Sequence, residues 1–493
     1  MIRRNRKTLI LLSLLVPTGL LLGTSGVIYI ISTNRVSNDD PFPHERWEPS
    51  SAAGTTWTTS WQDLYQGSSY VSAWNGGSWA SGQLLSPPNS FGSVDVNLGW
   101  DSVRSHFVFA TLADEFEGGS IWYGWSDAYG SSWIFGPTPA FSSVYNQVRW
   151  DYPSIGIDAT GRVIIGAVKY VCVPPSCSDL TSQGTAVGYF TVVSTDGVSF
   201  SAPSYVAGPG VAPGAHSRVV AAGSLFHAFI PTLSGDPKAP LPTLIRRYQS
   251  SDGVNWSGPL SIGMDDFSPP NNNTPPGYSP TLFYAPLLAA SGYTNGLWSV
   301  AFQAKQGQWN NVILCTSDRG CVFVNYADDD EFLAGASVSG DSGYWVSYLA
   351  YSTLETRQLP LISQTLYFPP GQSAIYVNYY WVDPTGWTKS QSLRCPGVSE
   401  CLGAGDFATI ASNPYAGATT PFVTRSANNP NVLFQNFLQD PPAPPNFKNS
   451  PPNVVPIPYG ANISSLGTPV PTEARGFDPA TRHLQEKSFA SSC

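Results

Sequence analysis

Ser250-Ser251-Asp252-Gly253-Val254-Asn255-Trp256 decides how this chain is read, because close copies of it recur. Ser194-Thr195-Asp196-Gly197-Val198-Ser199-Phe200 is a near copy, and Thr316-Ser317-Asp318-Arg319-Gly320-Cys321-Val322-Phe323 is longer by one residue. Ser126-Asp127-Ala128-Tyr129-Gly130-Ser131-Ser132-Trp133 and Asp383-Pro384-Thr385-Gly386-Trp387 are looser versions. The aspartates at 127, 196, 252, 318 and 383 are spaced by 69, 56, 66 and 65 residues, the mark of a repeat architecture. In each copy the carboxylate can accept hydrogen bonds from backbone N–H groups just ahead of it, and Gly relaxes the turn. The closing aromatic then drops back into an apolar layer. A strand-like run precedes each copy, so the motif reads as a hairpin turn in a small sheet, once per unit.

Composition agrees. The chain has 16 Trp, 24 Tyr, 24 Phe, 46 Gly and 44 Pro, which suits many short strands and turns. No long stretch beyond the N-terminus shows a 3.6-residue apolar period. A formal net charge of −9, with no basic patch after the first seven residues, argues against a nucleic-acid partner. Those seven residues precede an apolar run from Leu9 to Ile31, 23 residues against the ~20 that cross a bilayer. The run reads as an uncleaved signal-anchor, with the basic stub inside and the rest outside the cell. If it is cleaved instead, the protein is secreted. Six of the seven cysteines fall in close pairs, Cys172/Cys177, Cys315/Cys321 and Cys395/Cys401, the simplest of 15 pairings for an exported protein. No His lies near any pair, so no metal site is expected there.

Paired strand patterns recur at 105–113 with 120–126, 162–170 with 186–194, and 224–232 with 242–249. They continue at 296–304 with 311–316, 343–352 with 373–382, and 418–425 with 431–438. With one strand before and one after each pair, the expectation is an all-β, six-bladed β-propeller of four-stranded antiparallel blades, preceded by one transmembrane helix. Asn75-Gly76-Gly77-Ser78-Trp79 mimics the turn, so residues 57–86 are expected to complete the last blade, or to seed a seventh. The domain reading is 1–32 stub and anchor, 33–56 linker, 57–440 propeller and 441–493 Pro-rich tail.

The form Ser-x-Asp-x-Gly-x-x-Trp resembles the Asp box (BNR repeat) of sialidases and other secreted β-propellers. The segment from Asp151 to Asp158 with Gly161 resembles the inner-strand signature of such proteins. Gly405-Asp406-Phe407 followed by Ala411 resembles a Gly-Asp-Tyr element of a final blade. With strands A to D alternating in direction, the A–B and C–D turns share one face, and ligands are expected at the other. The residues opening the inner strands are the candidates: Asp95 and Asp101, Arg149 to Tyr152, His216 to Arg218, Gly277 to Ser279, Asp341, and Gly405 to Phe407. Arg149, Trp150, His216, Arg218, Asp406 and Arg425 are the expected ligand-binding set, since Arg forks grip carboxylates and aromatics stack on sugars.

The resemblance implies a glycosidase constellation: Arg149, Arg218 and Arg425 as carboxylate clamps, Tyr278 as nucleophile, Glu115 as its partner, and Asp151 as acid/base. The Arg-Ile-Pro signature of sialidases is missing. The preferred expectation is therefore an extracellular, membrane-anchored propeller that binds a glycan or other surface ligand. An exo-glycosidase and a structural cell-envelope role are the alternatives. No cofactor is expected, and a carboxylate cluster at the channel would mark a structural Ca²⁺.

Overall fold

The structure, a computed structural model, describes residues 28–36, 46–63, 68–75, 78–115, 118–145, 147–172, 184–208, 216–233, 243–265, 288–306, 309–324, 330–338, 342–351, 361–368, 370, 375–381, 411–412, 418–424, 432–439 and 455–457. Five four-stranded antiparallel blades follow one another over residues 46–85, 92–135, 148–207, 218–265 and 289–323. Their inner strands are Arg46–Ala53, Gly92–Asp101, Val148–Ile157, Arg218–Ala222 and Ala289–Gly292. A four-stranded sheet over 330–381 follows, then a five-stranded antiparallel sheet that mixes strands from the two ends of the chain. Each inner strand packs beside the next, and Ala411–Ser412 of the mixed sheet touches both the sheet before it and the first blade.

Among the described residues, five blades of this form follow one another, against the six or seven expected. Residues 57–85 do not complete a last blade; they pair with Arg46–Ala53 as a blade of their own. Arg46–Ala53 lies inside the stretch expected to be a linker. The mixed sheet is completed instead by Ile28–Arg35, which pairs with Val432–Gln439, and by Val455–Ile457 from the tail. Residues 28–31 of the apolar run are thus strand, because their β-branched and aromatic side chains suit a sheet as well as a membrane. Residues 1–27, which hold the rest of the expected anchor, lie outside the described residues, among which no helix is long and apolar enough to cross a membrane.

Blades pack through the apolar faces of their strands. Between the second and third, Val108, Ala110, Ile121 and Tyr123 meet Ile155, Val163, Ile165 and Val192, all buried. Each such side chain contributes roughly 1.5–3 kcal/mol by leaving water. Small inner-strand residues let the strands come close around the axis. A Cβ on Gly292 would lie 2.1 Å from the Ala221 carbonyl oxygen of the neighbouring blade.

The turn chemistry is visible at three aspartates. Asp127 accepts from the N–H of Tyr129 and Ser131 (2.9 and 2.8 Å). Asp196 accepts from Val198 and Ser199 (2.8 and 2.7 Å), and Asp252 from Val254 and Asn255 (2.9 and 2.7 Å). Gly197 and Gly253, at φ 75° and 74°, supply the left-handed residue after the aspartate. Asp318 departs from this pattern. Its glycine comes one residue later, its strand partner begins at once with Gly320–Phe323, and its carboxylate accepts from the Tyr344 hydroxyl of the next sheet. Asp383 lies outside the described residues. Tyr344–Tyr351 pairs with Leu361–Phe368, so Ile375–Trp381, just before Asp383, is the outer strand of its sheet. Leu361–Phe368 escaped the pattern because its apolar residues come in runs, not strict alternation.

A second turn device was missed. Asp101 closes the inner strand of blade two and accepts from the N–H of Val103 and Arg104, both at 3.0 Å. It also holds the Arg104 guanidinium, which donates onward to the carbonyls of Gly161 (2.6 Å) and Thr195 (2.7 Å) in blade three. Blade three repeats the arrangement. Asp158 accepts from the N–H of Thr160 and Arg162, and Arg162 donates to Ser251 O at 2.9 Å in blade four. Burial pushes the Asp158 carboxyl up, but the hydrogen bonds from Thr160 and Arg162 outweigh it and leave its pKa below the usual value. Each Asp–Arg clasp thus ties one blade's A–B turn to the next blade's turns, which places all these turns on one face.

One disulfide, Cys315–Cys321, bridges residues directly opposite in register. Cys172 is also disulfide-bonded, while Cys177, Cys395 and Cys401 lie outside the described residues.

Candidate functional site

Asp101, expected at the ligand end of its strand, sits at the turn end and belongs to a clasp. The opposite ends of the inner strands carry something different. Both Gly92–Asp101 and Val148–Ile157 have a bulge near their start, and the bulged residues Asp95 and Tyr152 adopt φ of 53° and 55°. Left-handed backbone at non-glycine residues costs of order 1–3 kcal/mol and persists where the surroundings hold it. Here the kinks bring the Asp95 and Asp151 carboxyls of adjacent blades into a hydrogen bond.

Around that pair, Arg149 Nη2 lies 3.4 Å from Asp151 Oδ2, and the Tyr152 N–H donates to Asp151 Oδ1 at 2.8 Å. Arg149 and Asp151 are 5% and 2% exposed. Burial raises the Asp151 pKa most; Arg149 opposes the rise, Asp95 reinforces it, and the result is a value of about 7. The Asp151 carboxyl therefore holds its proton to higher pH than an ordinary carboxyl does. The chain of contacts continues as the Tyr152 ring packs edge-on against His216 with centroids 4.6 Å apart. Arg218 then donates to the carbonyls of Leu288 (3.0 Å) and Pro153 (3.4 Å).

The expected set is therefore divided. Arg149 and Asp151 stand together. Trp150 does not face a ligand: it is buried between Phe141 and Phe190 and donates from its indole to Ser142 O at 2.9 Å. Alternation along the strand sends it to the opposite side from Arg149 and Asp151. His216 and Arg218 are buried stitches joining blades three to five, with the Arg218 guanidinium directed at backbone carbonyls and not at a clamp position. Tyr278, Asp341, Asp406 and Arg425 lie outside the described residues, and nothing is described of the Glu115 side chain. Among the described residues no three His, Cys, Asp or Glu side chains group as metal ligands.

Two residues that sequence reasoning passed over complete the picture. Phe91 and Tyr145 are 58% and 56% exposed on the loops entering the inner strands of blades two and three. Each stands four residues before a member of the polar cluster, Asp95 and Arg149. That repeated aromatic-to-charge interval was the available signal. The central channel holds a cavity of about 380 Å³ that runs from Asn97, Ser154 and Arg218 at mid-strand to Ser102, Ala159 and Thr294 at the turn ends, and Phe91, Tyr145, Arg149 and Asp151 do not line it.

Comparison with known proteins finds folds and no family. No protein-family model matches the chain, and no curated protein matches it. A protein of unknown function from Dyadobacter fermentans is similar in structure, with 11% identity and a TM-score of 0.44 over 84% of this chain and 99% of that one. A sialidase from Streptococcus pneumoniae shows 10% identity and a TM-score of 0.43 over 68% of this chain and 70% of that one. A fucose-specific lectin from Aleuria aurantia shows 12% identity and a TM-score of 0.38 over 71% and 98%. Likeness at these values does not assign an activity.

Proposed function

We propose that this chain is an extracellular carbohydrate-binding propeller whose ligand enters at the mouth opposite the turns. The observation that carries this reading is the Asp95–Asp151–Arg149 cluster, with Arg149 and Asp151 buried, Asp95 and Tyr152 at positive φ, and the exposed aromatics Phe91 and Tyr145 four residues before Asp95 and Arg149. A carboxyl pair and a guanidinium taken out of water cost stability, and such groups concentrate at functional sites. Aromatic rings stack on sugar faces while carboxyls and a guanidinium bond to hydroxyls. The disulfide at Cys315–Cys321 supports export to an oxidising compartment. Residues 1–27 supply the proposed membrane anchor.

Binding is favoured over hydrolysis by one specific feature. Arg218, a carboxylate clamp in the sialidase-like constellation, donates instead to the backbone carbonyls of Leu288 and Pro153.

A glycan array probed with the full-length protein, beside a panel of fluorogenic glycosides, tests this. The expected result is selective array binding that is lost in a Phe91→Ala/Tyr145→Ala variant with unchanged melting, and no turnover. Turnover abolished by Asp151→Asn would make the protein a hydrolase. A folded protein that binds no glycan would sink the carbohydrate reading.

A further inference from the structure

The exposed large apolar residues sort by position. Leu84, Ile134, Tyr205 and Leu260 lie on outer strands, Phe91, Val144, Tyr145 and Val171 at the mouth side, and Val103, Tyr129, Val198 and Val254 on the turn face. Tyr129, Val198 and Val254 each stand two residues after the aspartate of a C–D turn, on three consecutive blades. Exposure alone does not choose between these surfaces. Strand direction does. Val432–Gln439 is a third strand and runs from the mouth toward the turn face, so Gln439 marks the turn side. Ile28–Arg35 pairs with it antiparallel, with Tyr29 opposite Gln439 and Arg35 opposite Phe434. The chain therefore enters the propeller at the turn face. Val455–Ile457 pairs antiparallel in turn, Ile457 opposite Ile28, and leaves on the same face.

We propose that the turn face rests on the lipid bilayer and that the mouth points away from it. This rests on the reading of the N-terminal apolar run as a membrane segment. Leu9 to residue 27 spans 19 residues before Ile28 begins its strand. As a helix that length would be about 28 Å, close to the ~30 Å hydrocarbon core, which would leave little chain between membrane and sheet. A tether so short would hold the entry point at the lipid surface. Val198 and Val254 lie across the ring from the mixed sheet and Tyr129 between them and it, so the three meet the interface as the second support of a flat contact. The carboxylates of Asp127, Asp196 and Asp252 share this face, which matches a zwitterionic surface better than an anionic one.

The test uses the full-length chain in a Cys493→Ser background, reconstituted in phosphatidylcholine vesicles containing spin-labelled phosphatidylcholine. Single cysteines replace Val198, Val254 or Tyr145 and carry an environment-sensitive fluorophore. Labels at 198 and 254 are expected to lose about half their emission or more to the lipid quencher, and the label at 145 to respond only to aqueous iodide. The reverse pattern, or iodide access at all three sites in chains that float with the vesicles, overturns the orientation while leaving the anchor standing. Chains that do not float overturn both. Hydrogen exchange of the unsubstituted chain, with and without vesicles, gives the same answer where a variant fails to fold: slowed exchange at the turns supports the proposal, and slowed exchange only at the mouth defeats it.

Discussion

Aspartates at the two faces of this propeller live under opposite physics. On the turn face, Asp196 and Asp252 sit in water, accept two backbone N–H groups each, and titrate below the ordinary carboxylate range because those bonds favour the charged form. At the mouth, Asp151 is buried against another carboxyl and an arginine, and titrates far above that range. The first kind supports the fold. The second costs the fold something, and it is the kind worth keeping only if the mouth has work to do.

The sharpest way to break this comparison is at the clasps. Asp101→Ala and Asp158→Ala remove a fully buried carboxylate and strand Arg104 or Arg162, which are about a quarter exposed. A loss of about 3 kcal/mol is expected, the low end for breaking a buried pair. Denaturant melts would check it, and a loss under about 1 kcal/mol would mean that the clasps do not tie the blades.

Asp151→Asn should separate fold from function. Between about pH 4 and 7 the folded protein keeps a proton that the unfolded chain has released, so Asp151 lowers stability as pH rises through that window. The variant is expected to flatten this slope and to melt no lower than the parent at pH 8. Glycan affinity should fall about tenfold or more. A variant that loses stability at pH 8 would make Asp151 a structural residue.

A backbone test comes next in size. Gly253→Ala forces an alanine into φ 74° and places its Cβ 2.4 Å from Val193 Cγ2. It should cost about 1–3 kcal/mol, read as a lower melting midpoint, with ligand affinity unchanged.

The smallest effect belongs to Asp252→Asn. The amide oxygen can still accept from Val254 and Asn255, so stability at neutral pH should move by no more than about 0.5 kcal/mol. What should change is the acid limb. The folded pKa of Asp252 lies below its unfolded value of 3.8, so its contribution is present above about pH 4 and lost as pH falls further. The variant's acid unfolding should start from a flatter curve, which circular dichroism against pH would show.

Much of the fold was legible because its signals are local. An Asp, a Gly and an aromatic within seven residues place a turn wherever they occur, and they did so at Asp127, Asp196 and Asp252. At Asp318 the turn is also present, between Thr316 and Gly320, but the carboxylate accepts from Tyr344 of the next sheet. For the candidate site, Arg149 and Asp151, both singled out from the sequence, lie side by side. Sequence alone offered no means of telling Trp150, which alternation turns into the core, from its neighbours. Arg218 looked like a clamp because an arginine at a strand start is chemically apt, but the carbonyls that claim it come from residues 65 and 70 positions away.

By itself, then, the sequence determined the strand-and-turn rhythm and the position of a polar segment on an inner strand. Both depend on residues within a few positions of one another. Only the tertiary structure decided that Ile28–Arg35 completes a sheet with Val432–Gln439, some four hundred residues away. It also decided that Asp95 meets Asp151 across a blade boundary, and that Asp101 and Asp158 serve the turns. Those outcomes depend on which edges remain unpaired once the ring forms and on how bulges aim side chains, and neither is encoded in any single window of the chain.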